Sequence, residues 1–266
     1  MLTPWLLAYV AAGAFVGFIA GMLGIGGGMT LVPILAAIFT AQALSPDHTV
    51  HVALATAMAS AFFTSTASLR EHHRHGAVDW TVVKRMAPGM VTGALVSTVA
   101  SGWVSQRALA LLFAVIVYGA ATQMWFGKKP AAHRPLPGPV PLFAIGVIIG
   151  TLSGLVSAGG TFLAMPVMLY CGVAMHTAIG SGAAIVVPVT LVGTLGYIIS
   201  GWASGNLPPY SLGFVYLPAA AALVAGSVIT APFGARLAHR LPVRTLKRIF
   251  ALVMFALATR MAVVYL

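Results

Sequence analysis

Long apolar runs fill the chain, separated only by short polar or Pro/Gly stretches. They fall at about 5–23, 28–43, 50–69, 86–104, 108–126, 140–157, 161–174, 177–201, 212–232 and 246–265. One bilayer crossing takes roughly 20 apolar residues. Charged residues make up only 6% of the chain and hydrophobic ones 60%, against roughly 25% charged in an average soluble domain. A soluble surface cannot be dressed with so few charges. The predicted fold is therefore an all-α polytopic membrane protein, one integrated domain in contact with the lipid bilayer.

The net charge of +11 comes from 14 Lys and Arg against Asp47, Glu71 and Asp79. In a membrane chain the excess reads as basic cytoplasmic loops, not as a nucleic-acid surface. None of the three carboxylates lies in a predicted hydrophobic segment. Buried acids are the usual basis of cation sites and carboxylate proton relays, so the composition favours a small anion or a neutral solute. Cys171 is the single cysteine, which excludes an intrachain disulfide and a thiolate metal cluster. Residues 1–23 contain no Lys or Arg and read as mature protein, not as a secretory signal.

The two halves repeat. Gly17, Gly21, Gly24, Gly27 and Gly28, running on to Pro33, match Gly150, Gly154, Ser157, Gly160 and Thr161, running on to Pro166. His51 matches His176 across a shorter loop, and Phe113, Thr122 and Met124 match Phe250, Thr259 and Met261. The Pro-rich stretch 127–141 lies between them. The expected division is a first transmembrane repeat at 1–126, a cytoplasmic linker at 127–141 and a second transmembrane repeat at 142–266.

Basic residues change sides between the halves. In the first they gather between Arg70 and Arg85 and in the linker. In the second the loop equivalent to 70–85, residues 202–211, has none, whereas Arg236, Arg240, Arg244, Lys247 and Arg248 crowd the loop that in the first half holds only Arg107. By the positive-inside rule the halves insert in opposite directions. The expectation is two inverted repeats of about five segments each, their Gly-rich broken hairpin helices meeting near the midplane.

Each hairpin tip is too short for an aqueous loop: Gly24, Gly26, Gly27 and Gly28 in one, Ser157, Gly159 and Gly160 in the other. Irregular backbone at membrane depth survives only inside protein or beside a water-filled cavity. A helix starting at such a tip presents unpaired N–H groups and the positive end of its dipole, an anion site that needs no charged side chain. Thr30, Ser157 and Thr161 can add hydroxyls, and Thr56 and Ser181 on the following segments can face the tips. The competing reading is that the glycines serve only close helix packing. His51 and His176 are either anion- or proton-binding groups or interfacial histidines at helix starts. No metal site, cofactor box, P-loop or catalytic motif is present, so no enzyme activity is expected.

The pattern Gly17-x3-Gly21-x2-Gly24-x-Gly26-Gly27-Gly28-x4-Pro33, with its second copy Gly150-x3-Gly154…Gly159-Gly160-x5-Pro166, resembles the sulfite exporter TauE/SafE family of the toluene sulfonate uptake permease superfamily. The resemblance implies an inner-membrane permease for small sulfur-containing anions such as sulfite or organosulfonates. It would work in export, by alternating access around the tips, and could form a homo-oligomer. Ser157 and Thr161 depart from glycine in the second copy. A non-transporting scaffold or assembly subunit stands as the alternative.

Overall fold

The computed structural model describes residues 3–24, 27–126, 136–238 and 243–265. Gly26, most of the Pro-rich linker and Arg240 lie outside the described residues. Among the described residues ten α-helices make up nearly all of the structure: α1 Thr3–Leu23, α2 Gly28–Ala41, α3 Thr49–Arg74, α4 Trp80–Ala100, α5 Gln106–Phe126, α6 Pro139–Val156, α7 Thr161–Tyr170, α8 Met175–Gly201, α9 Leu217–Ala238 and α10 Val243–Tyr265. Six of them are long and apolar enough to cross a membrane.

The hairpins have unequal arms. α1 and α6, with 21 and 18 residues, are long enough to span. α2 and α7 have 14 and 10 residues, about 21 and 15 Å at the helical rise, and fall short of a hydrocarbon core of about 30 Å.

Several boundaries differ from the sequence expectation, three of them with consequences for the site. α4 starts at Trp80 rather than 86, because the Asp79 carboxylate accepts from the amides of Thr81 and Val82 and fixes the helix start. α9 starts at Leu217 after a two-stranded turn, Ser211–Leu212 against Val215–Tyr216, that hydropathy does not announce. α3 continues to Arg74, which overturns the placement of all three carboxylates outside the apolar helices: Glu71 is buried in the last turn of α3. It is tolerated there because Arg236 of α9 donates Nε to its carboxylate across 2.9 Å.

Small residues set the packing. Gly13, Gly17 and Gly21 of α1 lie against the backbone of Leu223, Ser227 and Ala231 of α9. Gly146, Gly150 and Gly154 of α6 lie in the same way against Met86, Met90 and Ala94 of α4. Equivalent residues stand 133 positions apart in α1 and α6 (Gly13 and Gly146) and 137 apart in α9 and α4 (Leu223 and Met86). Each contact would be lost with any side chain larger than hydrogen, the arrangement by which helices approach closely in lipid.

Those contacts run in register, so α1 is parallel to α9 and α6 to α4. The equivalent helices α5 and α10 are antiparallel, with Tyr118 hydrogen-bonded to Thr259 and Arg248 stacked on Trp125. α3 and α8 also oppose, Met58 meeting Gly193 while Ala77, just past the end of α3, meets Gly180. The first helix of each half of the chain thus packs on the fourth helix of the other. The outer surface carries Leu7, Phe15, Val115, Ile229 and Val263, each more than half exposed. The small hydroxyl side chains are mostly inside, the inverse of a soluble fold.

Candidate substrate site at the paired helix tips

The turns into α2 and α7 share one local conformation. Gly27 and Gly160 are the N-caps of the two short helices, with φ of 75° and 84°. Gly24, Ser157 and Gly159 also have positive φ, so the backbone turns back on itself without an aqueous loop. Gly27 lies on Val16 and Ala20, and Gly160 on Ile149 and Ser153 at the equivalent positions.

Neither tip caps its own helix. No side chain bonds the first amides of α2 or of α7. The carbonyls of Gly27 and Gly160 accept only from the third and fourth helical residues. Among the described residues, the N–H groups of Gly28, Met29, Thr161 and Phe162 have no acceptor. All described tip residues are buried. Unpaired buried amides at a helix start leave a local positive potential. The tips touch: a methyl on Gly28 would strike the carbonyl oxygen of Ser157. Two surface grooves, of 360 and 240 Å³, border other parts of the molecule.

The hydroxyls singled out in the sequence divide by what they bond. Ser157 donates Oγ to the carbonyl of Leu54 across 2.7 Å, and in the other half Gly24 presses on the matching carbonyl, that of Ile179. Thr56 Oγ1 accepts from the amide of Tyr216 at 3.0 Å, and Ser181 Oγ from the amide of Asp79 at 2.8 Å. These two hydroxyls cap the approach to α9 and α4 from the opposite half. Thr30 makes a long contact to Met254 Sδ, 3.9 Å. Thr161 Oγ1 is fully buried at the start of α7 and has no partner; Ser60 Oγ, on α3, is also buried and unpartnered.

The paired histidines have separated. His51 is buried, its Nε2 3.2 and 3.1 Å from the carbonyls of Ser101 and Val104, and it ties α3 to the turn after α4. His176 is exposed. His72, inside the stretch 70–85 read as a basic loop, is fully buried, with Nε2 3.1 Å from the carbonyl of Gly21 at the end of α1. The signal was there: Ser65, Ser68 and His72 share one helical face. Among the described residues no group of three His, Cys, Asp or Glu side chains could hold a metal ion.

A multi-pass α-helical bundle with paired short helices and a buried seam of amides and hydroxyls has the build of a membrane transporter. The comparisons agree. The chain belongs to the sulfite exporter TauE/SafE family, whose model matches residues 9–261. It is 32% identical over 258 residues to a "Probable membrane transporter protein" of Haemophilus influenzae, covering 97% of this chain and 98% of the other. It is also similar to "Probable membrane transporter protein MJ0441" of Methanocaldococcus jannaschii, 25% identical over 247 residues, 90% and 88% of the two chains. A third relative is "Probable membrane transporter protein YunE" of Bacillus subtilis, 21% identical over 272 residues and 95% of each chain. No solved structure matches the chain.

Proposed function

We propose that this protein is a secondary transporter of the cell's inner membrane that exports small sulfur-containing anions such as sulfite or organosulfonates. The two halves, 1–126 and 142–266, insert in opposite directions, with the linker 127–141 on the cytoplasmic side. Transport proceeds by alternating access, the α1–α2 and α6–α7 hairpins rocking around their tips. The present packing is then a closed conformation, with all described tip residues buried. The observation that carries the reading is the set of amides at Gly28, Met29, Thr161 and Phe162 that find no acceptor among the described residues, beside the unpartnered Thr161 hydroxyl. Neutral donors gathered at two helix starts suit an oxyanion, which brings its own charge and accepts several N–H bonds. The family's description supports the substrate class, and the membrane potential drives an anion outward without further coupling.

The test is efflux from proteoliposomes loaded with sulfite, sulfoacetate, sulfate or taurine, alongside thermal unfolding in detergent with each solute. Saturable sulfite or sulfoacetate efflux, with stabilisation by the same solute, is the expected result. Stabilisation and flux absent with all four solutes would overturn the substrate class.

A further inference from the structure

The 360 Å³ groove lies between the second and third turns of α4 and the start of α6 and is lined by Lys84, Arg85, Pro88, Pro139, Val140 and Phe143. Its walls are apolar and open outward: Val140 and Phe143 are 76% and 43% exposed. Lys84 and Arg85 stand at its rim, one turn into α4 from Trp80, itself exposed at the helix start. Neither cation has an acid partner among the described residues. Glu71 is engaged by Arg236, Arg74 and His75, and Asp79 Oδ1 accepts from two backbone amides.

We infer that this groove is a binding site for one anionic glycerophospholipid, its phosphate held by Lys84 and Arg85 and one acyl chain lying on Pro88, Val140 and Phe143. A basic pair above an apolar channel at the headgroup boundary matches the two ends of such a lipid, and juxtamembrane cations favour anionic headgroups. The repeat supplies an internal control. The α9–α1 interface has the same glycine packing as α4–α6, yet the positions equivalent to Lys84 and Arg85 are Ala221 and Ala222. The helix pair therefore packs without the cations. Their presence on one copy alone follows the positive-inside bias of the side where α4 and α6 both begin, and it sets the pair against a single leaflet.

The test is native mass spectrometry of the detergent-purified full chain, where orientation in a bilayer plays no part. Dioctanoyl phosphatidylglycerol, dioctanoyl phosphatidylcholine and inorganic phosphate are compared on wild type, Lys84→Gln/Arg85→Gln and the exposed same-side control Arg70→Gln. We expect phosphatidylglycerol to be retained by wild type and by R70Q, and about tenfold less by the double variant, given two near-surface cations. Equal retention by the double variant, or phosphatidylcholine held as well as phosphatidylglycerol, would overturn the site. Displacement of the lipid by equimolar inorganic phosphate would overturn it too, in favour of a simple anion site. Should the double variant not stay monodisperse, the three-ligand comparison on wild type decides alone. The result does not depend on the transported solute.

Discussion

Ser157 Oγ donates to the carbonyl oxygen of Leu54 across 2.7 Å, so the tip of the second hairpin is stitched to α3 of the first half. At the equivalent position of the first tip, Gly24 has no hydroxyl and lies on the carbonyl of Ile179. Ser157 holds φ at 53°, a conformation that disfavours any side chain. Ser157→Ala loses the bond and keeps the strain, and should lower stability by about 1 kcal/mol. Ser157→Gly loses the bond but relieves the strain, worth roughly 1–2 kcal/mol, and should lie at or above wild type. Thermal unfolding of the two variants in one detergent checks the order, and alanine at or above glycine contradicts it.

Gly28 is the contact between the tips. Its φ is not in the left-handed region, so alanine there is locally acceptable, but the added methyl meets the Ser157 carbonyl. Gly28→Ala should push the tips apart, costing about 1–3 kcal/mol of overpacking, and should slow sulfite flux more than the fall in melting temperature would suggest. Flux at the wild-type rate would show that the tip contact is not part of the transport cycle.

Thr161 offers a cleaner probe, because its hydroxyl satisfies nothing in the closed protein. Thr161→Val keeps the shape and removes an unpaired polar group, so stability should hold within about 1 kcal/mol or rise. The sulfite-dependent rise in melting temperature should shrink. A full-sized rise in the valine variant would remove Thr161 from the binding site.

The two histidines should behave unlike each other despite their equivalent positions. His51→Ala removes the imidazole donor shared by the Ser101 and Val104 carbonyls, leaving Ser101 with only the Val104 amide, and opens a hole at a buried side chain; it should cost roughly 1–3 kcal/mol. His176 is exposed, so His176→Ala should stay within about 0.5 kcal/mol. Unfolding curves measured side by side decide this, and similar losses in both would contradict it.

Much of this was legible in one dimension. Apolar runs located most of the helices, because lipid demands that every backbone group be satisfied within its own segment. The glycine spacing from Gly17 to Gly28, repeated from Gly150 to Thr161, located both tips, because positive φ and close approach leave few alternatives to glycine. Hydropathy failed where polar atoms are satisfied from a distance. Glu71 and His72 read as loop residues, since nothing near them in sequence announces Arg236 or the carbonyl of Gly21.

The sequence by itself determined the solvent of this protein, the order of its described helices and the place of its two bends. Only the tertiary structure decided which hydroxyls are already spoken for. Thr56, Ser181 and Ser157 looked equivalent to Thr161, but each is bonded to a backbone group of the opposite half, Thr56 and Ser181 by accepting from an amide and Ser157 by donating to a carbonyl, whereas Thr161 Oγ1 is unpartnered. The reason is physical: a hydroxyl's identity is local, but the partner that satisfies it is brought within about 3 Å only when two distant halves of the chain pack together.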